Sequence, residues 1–133
     1  MRVTGRDILL ETSVLVHLLR GKNKSVKDFI DSLDNFSVSS ITVGELLYGA
    51  KYSRNKEKEL AHVDFIISKA QILDVDKATS DFYSDIRTEL RRNGKPIPEN
   101  DLWTASVAIQ HQCTLVAIDK HFRIIKGLDL KEL

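Results

Sequence analysis

The sequence predicts an α/β fold in which a central, mainly parallel β-sheet lies between layers of helix. Three observations point to it. Short unbroken apolar runs, Ile8-Leu9-Leu10 first among them, suit strands buried on both faces, the usual situation in parallel sheets. Between those runs, apolar residues recur at helical spacing, so strand and helix alternate along the chain. Glu11, at the carboxyl end of the first run, is one of three acids standing just past an apolar run, at the sheet edge where open α/β sheets bind ligands.

Each element has its own signal. After the first strand, Ser13 is placed to cap a helix whose Val14, Leu15, Leu18 and Leu19 form one stripe and which Gly21 stops. Ser25 starts a second short helix through Phe29, Ile30 and Leu33. Residues 36–41 read as the second strand. Thr42-Val43-Gly44-Glu45 then has the form of a capping box, and Val43, Leu46, Leu47 and Ala50 repeat at i, i+3, i+4, i+7 on the core face of a third helix. The charged stretch 54–59 leads into a helix through Leu60, Val63, Phe65, Ile66 and Ile67, and 71–75 reads as the third strand. Asp76 caps a long helix carrying Ala78, Phe82, Ile86 and Leu90, which Asn93-Gly94 ends. Pro96 and Pro98 fix an extended connection. Asn100 or a neighbour opens the next helix, with Leu102, Ala105, Ser106, Ile109 and Cys113 along one side. Residues 114–118 form the fourth strand, closed by Asp119. A turn of helix at 120–122 and an edge segment at 123–130 complete the chain.

The 133 residues amount to about one domain, 1–133, without internal repeat or low-complexity tract. Such a chain buries roughly 68% of the surface exposed when unfolded, so neither disulfide nor structural metal is needed. The apolar share of 42% and charged share of 29% belong to the ordinary globular class. A single cysteine, Cys113, forms no intrachain disulfide, and the apolar stretch after Arg2 and Arg6 is too short for a signal peptide, which points to the cytoplasm. No apolar run approaches the ~20 residues that span a bilayer, so no membrane partner is expected. A net charge of +1 gives no overall pull toward a polyanion, and nucleic-acid contact must come from local clusters.

The acids carry the chemistry. Glu11 ends strand one, Glu45 lies just after strand two, Asp119 ends strand four, and Asp101 opens the helix feeding strand four. A doubly wound sheet can bring all four to one crevice. Two carboxylates ~5 Å apart at an effective dielectric near 20 repel by roughly 3 kcal/mol, so a converged set calls for cations. Hard divalent ions with oxygen ligands, Mg²⁺ or Mn²⁺, are the natural counter-charge, and they activate water for phosphodiester displacement. Local roles stay open for two of the four: Glu45 as the capping-box partner, Asp101 as a helix N-terminal acid. Glu11 and Asp119 follow buried strands and are expected to carry a burial cost that a turn acid does not.

Together these residues resemble a family. Residues 8–16 (ILLETSVLV), Gly44-Glu45-Leu46-Leu47-Tyr48-Gly49-Ala50, the run PIPENDLWTA at 96–105, Leu115-Val116-Ala117-Ile118-Asp119-Lys120-His121-Phe122 and Gly127-Leu128 are similar to the PIN-domain proteins of the VapC toxin type. The resemblance implies a PIN-like three-layer α/β/α sandwich and a Mg²⁺- or Mn²⁺-dependent endoribonuclease, the toxin of a toxin–antitoxin pair. It also implies a homodimer neutralised by a cognate antitoxin, with promoter DNA bound only through the antitoxin complex. The implied metal-holding and catalytic set is Glu11, Glu45, Asp101 and Asp119, with Ser13 in support, hydrolysing RNA by a metal-activated water. Two positions depart from the family's pattern: Glu11 stands where Asp is usual, and Ala117 where Thr or Ser is frequent. The longer Glu moves its oxygens by roughly 1 Å, a displacement that can cost ~100-fold in rate.

Glu11 therefore motivates a second reading, an attenuated interaction module acting through antitoxin and promoter DNA. A phosphoacceptor domain, which also collects acids at strand ends, lacks a lysine at a matching strand end. His17, His62, His111 and His121 show no zinc-ligand spacing with Cys113, and His121 reads as a solvent-facing turn histidine. Trp103, Tyr48, Tyr52 and Tyr83 read as core or interface. Candidate phosphate contacts are Arg20, Lys22 and Lys24, then Lys51 and Arg54, then Arg87, Arg91, Arg92 and Lys95.

Overall fold

In the computed structural model, which describes residues 7–133, the chain runs β1 (Ile8–Leu10), α1 (Thr12–Arg20), α2 (Lys24–Asp31), β2 (Phe36–Ser39), α3 (Ser40–Tyr52) and α4 (Lys56–Lys69). It continues through β3 (Ala70–Leu73), α5 (Lys77–Arg92), α6 (Glu99–Gln110), β4 (Thr114–Ala117), a 3₁₀ turn (Lys120–Ile124) and β5 (Leu130–Glu132). Every pairing is parallel, and the strand order is β3-β2-β1-β4-β5. From β1 the chain steps outward to β2 and β3, then returns to the other side of β1 for β4 and β5. Right-handed crossovers running in opposite directions place their helices on opposite faces. The expected α/β/α sandwich follows.

Side-chain alternation divides the core accordingly. Ile8, Leu10, Phe36, Val38 and Val116 face one way and pack with Val14, Leu15, Val26, Ile30, Leu46 and Val63 of α1–α4. Leu9, Leu115 and Ala117 face the other way and pack with Leu90, Leu102, Ala105, Ala108 and Phe122. The β1–β4 register, Ile8 with Thr114, Leu9 with Leu115 and Leu10 with Val116, matches the two alternations residue for residue. No helix among the described residues is long and apolar enough to cross a membrane.

Helix starts differ from expectation by one to three residues, each for a local reason. Glu11, not Ser13, is the N-cap of α1, accepting the Ser13 N–H. Asn23, not Ser25, caps α2. Residues 42–45 form no capping box, because Ser39 already caps α3 by accepting the Thr42 N–H at 3.1 Å. That cap shortens β2 to end at Ser39, and it puts Glu45 in the second turn, too far along to serve the helix start. Strands β3 and β4 are likewise shorter than 71–75 and 114–118, with β3 shifted one residue earlier. The edge segment pairs only at Leu130–Glu132. Helix α6 opens at Glu99 with Pro98 before it and no side-chain cap. It buries Thr104, Val107 and Ala108 as well as Leu102, Ala105 and Ser106, so it is enclosed around most of its girth and not along a single stripe. Cys113 lies beyond its end, buried ahead of β4. Gly21 and Asp76 match their expected roles: Gly21 takes φ 64° after α1, a conformation that suits glycine, and Asp76 forms a reciprocal capping box with Thr79.

Two outcomes follow. Leu9 is fully enclosed in the middle strand, so Leu9→Ala is expected to lower the unfolding free energy by about 2–5 kcal/mol in urea titrations. The Thr79 amide, the Gln110 side chain and the Thr79 hydroxyl hold the Asp76 carboxyl below its usual range. A group with a depressed folded value contributes stability that is complete above its unfolded value, about 3.9, and is lost as pH falls through the folded one. The difference in melting temperature between wild type and Asp76→Asn should therefore shrink as pH drops from about 5 to below the depressed value.

Candidate active site

The strand order reverses between β1 and β4, and backbone and side chain together pin the carboxyl ends of these two strands. The Glu11 amide donates to the Val116 carbonyl at 2.9 Å. Glu11 Oε2 accepts the Ser13 N–H at 2.9 Å and also the Ser13 hydroxyl. The same Ser13 oxygen accepts the Ile118 amide at 3.3 Å, so one side chain joins the end of β4 to the carboxylate at the end of β1. Glu11 is only 4% exposed. Burial pushes its carboxyl above the usual range, the two Ser13 bonds oppose this, and the charges of Asp101 and Asp119 push it up further.

The other three acids come from three more elements. Glu45, on α3, accepts a hydrogen bond from the Thr12 hydroxyl at 2.7 Å. Asp101, in the first turn of α6, pairs with His121 Nδ1 at 2.9 Å. Burial raises the Asp101 carboxyl, the His121 bond and charge oppose it, and the charges of Asp119 and Glu45 add to the rise. The Asp101 bond also raises the His121 imidazole, assisted by the charges of Asp101, Asp119 and Glu11. Asp119 precedes the 3₁₀ turn and is exposed. The burial cost expected for Glu11 and Asp119 falls instead on Glu11 and Asp101. Because α6 is enclosed, its first turn carries Asp101 inward, whereas the chain leaves the sheet at Asp119.

The charges of Asp101 and Asp119 thus reach Glu11, and those of Asp119 and Glu45 reach Asp101, while Ser13 holds Glu11. Two participants went unread in the sequence. Thr12 and Thr42 form a hydroxyl pair at 3.0 Å beside Glu45, and no local pattern marks a contact between residues 30 apart in the chain. His121 is exposed in the turn after Asp119, as expected, and pairs there with Asp101. Among the basic candidates, Arg20 lines a cavity of about 470 Å³ together with Glu45, whereas Arg87 is engaged by Tyr83 and Glu99. Tyr83 and Trp103 stack on each other with centroids 3.9 Å apart, while Tyr48 and Tyr52 form an exposed pair and not core. Tyr48 borders a cavity with Thr12, Glu45 and Asn100.

The donor chemistry fits a hard divalent cation. All four groups are carboxylates, and burial first, then the like charges nearby, raises the buried Glu11 and the partly buried Asp101. Among the described residues, however, no three His, Cys, Asp or Glu side chains are already gathered into a metal-holding group. Three of the four carboxylates are engaged by neighbours: Glu11 by Ser13, Glu45 by Thr12 and Asp101 by His121. A cation would compete with these neighbours for the same oxygens.

Known proteins share this sequence pattern and fold. The PIN domain profile matches residues 8–128. The ribonuclease VapC2 of Rickettsia felis is 32% identical over 130 residues, covering 92% of this chain and 95% of the relative. The tRNA(fMet)-specific endonuclease VapC of Shigella flexneri is 30% identical over 122 residues, covering 90% and 92%. Among solved structures, VapBC2 from Rickettsia felis bound to a promoter DNA fragment superposes with a TM-score of 0.88 at 30% identity, covering 95% of this chain and 98% of that one. With the profile spanning nearly all of the sheet and helices, and a relative above 30% identity along almost its whole length, the chain belongs to the PIN-domain family, in its VapC group.

Proposed function

We propose that this protein is a Mg²⁺- or Mn²⁺-dependent endoribonuclease, the toxin of a toxin–antitoxin pair, working in the cytoplasm where its RNA substrate lies. The observation that carries the proposal is that acids reached from β1, α3, α6 and the end of β4 act on one another: burial and then the charges of Asp101 and Asp119 raise Glu11, and burial and then the charges of Asp119 and Glu45 raise Asp101. Relatives named as a ribonuclease and a tRNA endonuclease support the reaction class, and the VapBC complex on promoter DNA supports an antitoxin partner through which DNA is contacted. A homodimer completes the proposal.

In this reading Glu11, Glu45, Asp101 and Asp119 hold the cation, and Ser13 orients Glu11. When bound, the cation supplies positive charge against the phosphate and lowers the pKa of water. Arg20, sharing a cavity with Glu45, is placed to steer a phosphate of the RNA strand. His121, bonded to Asp101, orients that carboxylate.

One observation favours the second reading, an attenuated module that acts through antitoxin and promoter DNA. Glu11 is buried and committed to both the hydroxyl and the amide of Ser13, a full N-cap arrangement. Exchange of this one residue separates the two.

RNA cleavage by the purified protein is expected to require Mg²⁺ or Mn²⁺, to stop with EDTA, and to fall about 100-fold or more in both Asp101→Asn and Asp119→Asn. Cleavage that is unchanged in both variants would rule the nuclease proposal out. Glu11→Asp is expected to keep the rate within about tenfold of wild type. A rise of about 100-fold, with a matching rise in toxicity to the host cell, would identify the present chain as the attenuated form.

A further inference from the structure

We infer that Thr12 is the positioning residue for Glu45, at the end of a directed chain of hydroxyls that begins in the cap of α3. This inference rests on the reading of Glu45 as a cation ligand. The Thr12 hydroxyl lies 2.7 Å from Glu45 Oε1 and 3.0 Å from Thr42 Oγ1. It has a single proton to donate. The shorter contact to an acceptor-only carboxylate takes that proton. Thr42, which is fully buried, then donates its own proton to the Thr12 oxygen. Behind it Ser39, also fully buried, lies 3.4 Å from Thr42 Oγ1 and donates to it, while its oxygen accepts the Thr42 N–H at 3.1 Å.

The chain therefore runs Ser39 to Thr42 to Thr12 to Glu45, and its direction follows from the carboxylate at the far end. Each hydroxyl oxygen accepts one bond and each proton finds an acceptor. One end is anchored in the backbone at the β2–α3 junction. The other fixes Oε1 of a side chain six residues into α3, where a free glutamate would sample several rotamers. One oxygen is held in this way, and Oε2 is left to the cation. Thr12 is also adjacent to Ser13, which holds Glu11 from the same turn of α1. Two neighbouring hydroxyls thus orient two carboxylates that arrive from different elements, the end of β1 and helix α3.

The test is Mn²⁺ binding by titration calorimetry on the full chain, alongside RNA cleavage as a function of Mg²⁺ concentration. Thr12→Val keeps the shape and removes the hydroxyl. It is expected to weaken Mn²⁺ binding and raise the Mg²⁺ concentration for half-activation by about tenfold, the range found when a group orienting a metal ligand is removed. Thr12→Ser is expected to restore both. A double-mutant cycle supplies the readout that a merely structural role would not move: in a Glu45→Gln background, Thr12→Val should add nothing further to the loss of Mn²⁺ affinity. If Thr12→Val is too unstable at the assay temperature, Thr12→Ala in the same cycle reads the same coupling. Unaltered Mn²⁺ binding in Thr12→Val beside a loss in Glu45→Gln would overturn the inference alone. Unaltered binding in Glu45→Gln would overturn the reading of Glu45 as a ligand, and the inference with it.

Discussion

The pairing of β1 with β4 is the contact on which the rest of the molecule depends. It lies where the strand order reverses, so its carboxyl end is open to solvent while its flanks are covered by helices on both faces. Its register fixes which residues face α1–α4 and which face α5 and α6. It also fixes where the chain must turn away from the sheet. A slip of one residue would exchange Leu9 and Leu115 with their neighbours, turning both helical layers' contacts inside out. The same slip would separate Glu11 from Val116 and Ser13 from Ile118, whose bonds join the ends of the two strands.

Much of this architecture was legible from the sequence because the rules involved are local or repetitive. Unbroken apolar runs such as Ile8-Leu9-Leu10 carry the strands, and Gly21 and Asp76 mark helix ends through conformational and capping preferences of single residues. What escaped was whatever depended on competition between neighbours. Ser13 and Thr42 both have the chemistry of caps. Glu11 and Ser39 occupy those positions first, and the displaced hydroxyls turn to side chains elsewhere. The four acids could be named from their places at strand ends, but the burial of each could not. Asp101 is enclosed because α6 is buried on several sides, and the separate segments of the chain do not announce that packing.

Gathering negative charge at one place opposes folding, and the structure offsets it in a particular way. Among the described residues, Glu11, Glu45 and Asp101 are not paired with arginine or lysine. Glu11 and Glu45 are met by hydroxyls and an amide, which satisfy their oxygens and leave the charge uncancelled, and only Asp101 meets a group that can be cationic, the His121 imidazole. An ion pair at Glu11 or Glu45 would hold the site together more firmly and leave less to attract a cation. Neutral donors at those two positions hold the geometry and leave the attraction in place.

The bond from the Ile118 amide to Ser13 spans 105 residues of sequence. A polypeptide growing from its amino end presents β1, α1 and α3 long before β4 exists to lie beside them. Until β4 has cleared the ribosome, the central strand lacks one of its two neighbours, and the carboxylates that precede and follow that pairing remain apart. Contacts of such long sequence separation also make for slow closure. A ribosome must therefore read through the codons of β4 before the product can take its folded shape, and a translation product truncated ahead of β4 leaves β1 unpaired on that side.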